Sequence, residues 1–409
     1  MKTNAFDATT NSPAFRDNPY PFYAALRESD PVHWCEPWGC WVLTRYADIT
    51  AVLQQPELYS NRGRVTNTIQ REYPAEFLQR IQPLLKHFAQ GLINSDPPDH
   101  TRLRKLTQKA FIPRTLEILR PKIETLVTEL LGNCAAAAKS GRFDLVKEFA
   151  YPLPVQVIAE MLGVPPGMRE TFKHWSHTIL QFQAVPRADQ ETILVSQKAL
   201  VEMRGYLAEV TEDRRKNPTD DLLGELVRVE EEGSRLTREE LLSTGVSLLV
   251  AGHETTTNLI GSAAWLLLTN PAQREALMSN PALYPPMVEE ALRYESPLQR
   301  LGRTTMRDSV IAGTPIKLGQ TVLTLLGAAN RDPAQFAAAE QFDLARKDNK
   351  HIAFGSGIHF CLGAALARLE APIALRALFA RFPRLAPASD KYEWHSGVMR
   401  GLKEFWVNG

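Results

Sequence analysis

The chain has 409 residues, of which 44% are hydrophobic and 23% charged, with a formal net charge of +1. That balance suits a soluble globular protein whose core needs no disulfide or structural metal, and it excludes a chain-wide basic surface for nucleic acid. The four cysteines, Cys35, Cys40, Cys134 and Cys361, form no CxxC pair and suit a reducing compartment. The N-terminus is polar and proline-bearing, with no signal-peptide core, and no stretch is apolar enough to span a bilayer. The 28 prolines are spread along the chain, and no repeat or low-complexity linker interrupts it. The expectation is one cytoplasmic domain over residues 1–409, with neither membrane nor nucleic acid as a partner.

In chain order, Val32 to Leu43 comes first, a β-like patch carrying Trp34, Trp38 and Trp41. Asp96-Pro-Pro-Asp-His-Thr-Arg-Leu-Arg then opens a helix whose first turn suits Pro97 and Pro98. His100 and Arg104 fall at i and i+4, so both can face one anionic group. Amphipathic helices follow over about Arg114 to Ala138 and Gln190 to Lys216. Thr237 and Glu240 form a capping box, and the helix they start runs to Asn270, where Pro271 stops it. Such a helix is a rod of about 50 Å that must cross the middle of the molecule. Halfway along it stands Ala251-Gly-His-Glu-Thr-Thr-Thr. A glycine and a polar run are costly at the centre of a buried helix, and they fit a kink with back-bonded threonines or a local bulge.

Glu290 and Arg293 lie at i and i+3 on one helix face, the spacing of an ordinary surface ion pair. Strand signals are short, at Ser309 to Ile311 and Thr321 to Leu325, between glycine and proline turns. The fold class is mainly α with small β-sheets. Near the C-terminus, Phe354 to Gly363 reads FGSGIHFCLG, a glycine-rich turn feeding an apolar helix that ends before Pro383. Gly355 and Gly357 permit backbone angles that other residues resist. Cys361 then stands at a helix start, where backbone amides and the helix dipole stabilise a thiolate. By residue chemistry alone it is a buried core cysteine, the commonest fate of a reduced thiol, or a reactive one. His359, only two residues away, makes a poor catalytic partner, and a zinc site needs about four ligands, with no second Cys/His pair at hand.

FGSGIHFCLG matches, at every fixed position, the pattern FGxGxHxCxG of the cytochrome P-450 superfamily. The chain resembles that family from DPPDHTRLRKL to Glu370. The resemblance implies the P-450 fold, with haem b (iron protoporphyrin IX) between the long central helix and the cysteine helix. It implies Cys361 as the thiolate ligand of the iron, with Phe354, His359 and Gly363 beside the haem. His100, Arg104 and Arg303, with His359, would meet the haem propionates. Glu290 and Arg293 would be buried and joined by Arg346, in a segment where Ala339 replaces the family's usual proline. Ala251 to Thr255 looks like the family's AGxET signature. Gly252 would open the helix over the haem, Thr255 would hydrogen-bond the oxygen being activated, and Glu254 would relay protons, while His253 faces elsewhere.

Aligning these motifs places Ser247, Val250, Ala251, Leu298, Gln299, Val398 and Met399 around the substrate. Residues 61–93 and 171–186 would supply a lid, whose Phe172, Trp175 and Phe182 suggest an apolar substrate. Arg62, Arg64 and Arg300 are the arginines that an acidic substrate would meet. The implied function is a monooxygenase inserting one oxygen atom from O2 into a small to medium apolar organic substrate by hydroxylation, epoxidation or demethylation. Because the chain carries no second redox centre, a separate ferredoxin and an NAD(P)H-dependent ferredoxin reductase would supply electrons. The ferredoxin would dock on Arg102, Lys105, Lys109 and Arg368, and the enzyme is expected to be a monomer with no fused reductase. Two other readings stand beside this one. A peroxide-using or rearranging haem-thiolate enzyme is disfavoured by Glu254 with Thr255, and a non-catalytic haem sensor by the lack of an output domain.

Overall fold

Thr237 and Glu240 form the expected capping box: the Thr237 amide donates to Glu240 Oε2 (2.9 Å) and the Glu240 amide to Thr237 Oγ1 (3.2 Å). From this cap an unbroken α-helix runs over Arg238–Thr269. The structure, a computed structural model, describes residues 5–10, 12–63, 66–111, 113–184, 188–219, 221–231, 236–395 and 397–409. The chain divides into two compact units, one of residues 1–58, 120–154 and 254–409, the other of residues 59–119 and 155–253. The bulge expected at Gly252 is absent, since the helix stays α through that position. A Cβ on Gly252 would lie 3.4 Å from the Ile158 side chain, an ordinary contact distance.

In the first unit, the tryptophan-rich patch is a hairpin of strands Val32–Cys35 and Cys40–Leu43, with Cys35 opposite Cys40. The second strand pairs in parallel with Thr321–Leu325, which in turn pairs antiparallel with Arg300–Thr305. Tyr20, Tyr23, Leu26, Cys35, Cys40, Val42 and Leu325 pack into one apolar cluster behind this sheet. Helix Tyr284–Tyr294 packs on helix Ala364–Arg381, and the two carry the Glu290 network and follow the cysteine loop respectively.

Glu290 and Arg293 are fully buried, not a surface pair. Arg293 donates from Nε to Glu290 Oε2 (2.8 Å) and from Nη2 to Oε1 (2.7 Å). Arg346 Nε reaches the same carboxylate at 3.1 Å, and the Asp343 amide and Asn349 Nδ2 also donate to it. The missing proline at Ala339 does not unmake the turn. Arg293 Nη1 holds the Ala339 carbonyl (2.8 Å), Arg346 Nη1 holds that of Ala337 (2.7 Å), and Ala338 takes a left-handed φ of 48° between them.

The second unit is helical. Helix Arg169–Ala184 packs on Gln190–Lys216, whose N-cap Asp189 accepts from the Thr192 amide at 2.7 Å. Phe172 stacks edge-on against Tyr206 (5.1 Å), and Trp175 Nε1 donates to Glu202 (2.9 Å). Phe182 is buried against Phe88. The lid aromatics thus fasten helix to helix and are not presented to a ligand, while Pro186 of the expected lid lies outside the described residues. No described helix is long and apolar enough to cross a membrane.

Substituting Arg293→Leu leaves the Glu290 carboxylate buried with two of its five donors gone, at a cost of about 3–5 kcal/mol. A urea titration should register that loss, together with poor haem retention on purification, and an unchanged midpoint would contradict the burial described here.

Candidate active site

The loop before helix Ala364–Arg381 is shaped by two glycines with left-handed backbone, Gly355 (φ 73°) and Gly357 (φ 70°). At Gly357 there is a second constraint, because a Cβ would overlap the Leu53 carbonyl oxygen. The turn Gly357–His359 is closed by the Phe360 amide donating to the Gly357 carbonyl (3.1 Å), and the Cys361 amide donates to the Phe354 carbonyl (2.9 Å). Cys361 is therefore fixed just ahead of the first helical turn, where the local field favours a thiolate.

Cys361 is exposed, whereas Cys35, Cys40 and Cys134 are buried, and burial pushes each of those three thiols up to about 12. The core-cysteine reading of Cys361 fails. Beside it, nothing lies within 4 Å of where a Gly363 Cβ would stand. Among the described residues no His, Cys, Asp and Glu cluster could complete a metal site. One soft sulfur facing open space suits an iron that brings its other ligands in its own macrocycle, and the residues present fit a haem in that sense.

Arg303 is buried on its strand and donates Nη1 to its neighbour Gly302's carbonyl (2.8 Å). His359 is half-buried in the turn. In the second unit, His100 is buried on helix Asp99–Thr107, and its pKa is lowered by burial and by the Arg104 guanidinium. The i, i+4 pair is thus adjacent in space, as the spacing required.

Midway along the long helix, Ser247, Leu248, Ala251, Gly252, Glu254 and Thr255 are partly or fully exposed. The spacing of Ser247, Ala251, Glu254 and Thr255 puts them on one face of the helix. Val250 is buried off that face. His253 is buried too, with Nδ1 2.9 Å from the Leu249 carbonyl oxygen, and burial lowers its pKa to about 4. Burial raises Glu254 from an ordinary carboxyl value to about 7.

Leu298 bridges to Met399, and the Gln299 amide donates to the Val398 carbonyl (2.8 Å), so the two segments expected near a substrate do meet. Gln299 itself turns inward, donating Nε2 to the Ser296 carbonyl (2.8 Å) and to Tyr20 Oη (3.3 Å). The expected arginines are engaged elsewhere: Arg62 pairs with Asp99 (2.7 Å) and Arg300 stacks on Trp38 (4.6 Å), while Arg64 lies outside the described residues. Arg102 is neutralised by Glu240 and Arg368 by Glu289. Lys105 is exposed, and the Lys109 side chain lies outside the described residues.

Sequence reasoning missed Glu289 and His351, which join Arg368 next to the cysteine loop. The available signal was the doubled acid Glu289-Glu290 and a histidine three residues before Phe354.

The substitution Gly357→Ala imposes a left-handed alanine, at about 1–3 kcal/mol, and a clash with Leu53. It should lower the thermal midpoint and loosen haem, whereas Gly363→Ala, with open space beside it, should do neither through a clash within the chain.

The cytochrome P450 family model matches residues 50–280 and 282–399. Cytochrome P450 107B1 of Saccharopolyspora erythraea is 41% identical over 96% of both chains, and 6-deoxyerythronolide B hydroxylase of the same organism is 39% identical over 96% of both. Among solved structures, P450BioI in complex with an acyl carrier protein bearing hexadec-9Z-enoic acid superposes with a TM-score of 0.89 at 35% identity, covering 97% of this chain and all of that one. Overlap on this scale, with the cysteine loop and buried Glu290–Arg293 pair in place, makes the chain a member of the cytochrome P450 family, a haem-thiolate monooxygenase whose cofactor is iron protoporphyrin IX.

Proposed function

We propose that this enzyme hydroxylates an apolar organic substrate, with Cys361 as the sole protein ligand of the haem iron and electrons from a separate ferredoxin and its NAD(P)H-dependent reductase. The observation carrying the reading is the exposure of Cys361 at a helix start while the other three cysteines are buried. When bound, haem supplies the iron at which O2 is cleaved and one oxygen atom is transferred.

The chain's own residues do the rest. The hydrogen bond from the Cys361 amide to the Phe354 carbonyl fixes the backbone that carries the sulfur. Arg303 and His359, which belong to one unit, would offer donors to the haem carboxylates. Glu254 holds a proton on its carboxyl near neutral pH, where a group can both give and regain it. Thr255, its neighbour on the accessible face, offers the hydroxyl through which that proton leaves the helix. This acid and hydroxyl favour O2 chemistry, which consumes protons, over the peroxide-using alternative.

Leu298, Val398 and Met399 provide a partly exposed apolar edge, and Arg62 and Arg300 are occupied by Asp99 and Trp38. Both facts support an uncharged, apolar reacting region in the substrate. The relatives fit such a preference, since one is named for a hydroxylation of 6-deoxyerythronolide B. For the ferredoxin, Lys105 remains an exposed cation, and charge of this kind acts on encounter rate more than on affinity.

Reduced protein under carbon monoxide should give the thiolate-type Soret band, and Cys361→Ser should abolish it while the buried core is unchanged. A thiolate spectrum that survives the substitution would overturn the ligand assignment.

Coupling should depend on pH through Glu254. Its folded value, about 7, lies above that of an ordinary carboxyl, so the protonated form is present below about pH 7 and is lost as pH rises through it. Peroxide released per NAD(P)H should therefore rise above neutrality in the wild type. Glu254→Gln should flatten that profile, and Thr255→Ala should uncouple at every pH from about 6 to about 9. A wild-type profile retained by Glu254→Gln would assign the proton source elsewhere.

A further inference from the structure

Arg368 lies on helix Ala364–Arg381, seven residues beyond Cys361. Its guanidinium makes two parallel hydrogen bonds to one carboxylate, Nε to Glu289 Oε1 and Nη2 to Glu289 Oε2, both 2.8 Å. The same guanidinium lies over the Phe354 ring, 4.7 Å from its centroid. Phe354 is the residue whose carbonyl accepts the Cys361 amide. His351 Nε2 stands 3.1 Å from Glu289 Oε2, and its ring is 5.9 Å from that of Phe354. All five residues belong to the same unit.

Two consequences follow from this geometry. The bidentate fork fixes the guanidinium plane, which a lysine in its place could not do. The cation also reaches the cysteine loop, because it lies over the ring of Phe354, whose carbonyl accepts the Cys361 amide. Glu289 is itself held in place from behind, because its chain neighbour Glu290 is locked into the buried arginine pair. A positive and a negative charge are thus paired beside the cysteine loop, the positive one over the Phe354 ring.

We propose that Arg368 is a positioning residue for the Cys361 thiolate and that the Arg368–Glu289 pair sets the reduction potential of the iron the thiolate holds, the cation raising it and the carboxylate damping the cation. The proposal rests on Cys361 being the ligand. Reduction adds one electron, and therefore negative charge, to the centre. A neighbouring cation favours the reduced state, and a neighbouring anion opposes it. Because Arg368 is partly exposed, solvent screens it, and an effect of roughly fivefold in the reduction equilibrium is expected.

The test is a spectroelectrochemical titration of the ferric/ferrous couple in haem-loaded wild type, Arg368→Gln, Arg368→Lys and Glu289→Gln, each with its carbon monoxide spectrum and thermal midpoint. The potential should fall in Arg368→Gln, rise in Glu289→Gln and stay near wild type in Arg368→Lys. A clamp with only a structural role would lower the thermal midpoint in all three, since each breaks the fork, and would move the potential in one direction or not at all. Equal-signed shifts in Arg368→Gln and Glu289→Gln, or an unmoved potential in Arg368→Gln, would overturn the proposal. Should Glu289→Gln fail to retain haem, the contrast of Arg368→Gln with Arg368→Lys decides alone, because only the former loses charge. Failure of the ligand assignment looks different: the wild type itself would then lack the thiolate-type carbon monoxide band.

Discussion

Two arginines share one buried carboxylate, and much of the first unit is arranged around that fact. Glu290 accepts from Arg293 and Arg346, and the donors those arginines have left over collect the carbonyls of Asn330, Ala337, Ala338, Ala339 and Gln341. Asn330 passes the constraint on: its Oδ1 accepts from the Ile352 amide (2.8 Å), and the Ile352 carbonyl accepts from the Gly355 amide (2.8 Å) at the start of the cysteine loop. The network therefore reaches the start of the cysteine loop. Its value is not net stability, since a buried ion pair repays its desolvation only when every donor and acceptor is used. It fixes where a long irregular segment must lie, which apolar packing, being non-directional, would leave loose.

Elements with strong local signals were legible from the chain. The capping box at Thr237, the ends of the long helix and the strands Ser309–Ile311 and Thr321–Leu325 all fall where residue chemistry places them. Helix Gln190–Lys216 does so as well, because its cap and its periodicity are written in consecutive residues. The short helices between Thr66 and Ala89 were not foreseen. Helices of that length depend on tertiary packing, which carries no local signature.

At the site, residue identity was easier to read than side-chain direction. The exposure of Cys361 and the burial of Glu290 follow the motif, but Gln299 and the lid aromatics turn into the core. A glutamine one residue from a pocket edge can satisfy its amide on Ser296 and Tyr20, and an indole that finds Glu202 stays there. The partners of Arg62 and Arg300, Asp99 and Trp38, are likewise distant in sequence. Such choices are settled by neighbours brought up from elsewhere in the chain.

The burial of Cys35, Cys40 and Cys134 has a practical side. Nucleophilic attack on an alkylating reagent requires thiolate, and thiols held near 12 supply almost none at neutral pH. A reagent such as iodoacetamide, added to the folded protein, is therefore confined to Cys361, and a haem-bound sulfur is masked from it. The mass increment of one label per chain then counts empty molecules in a preparation directly, whatever their colour, so that specific activity can be normalised to loaded enzyme without an extinction coefficient.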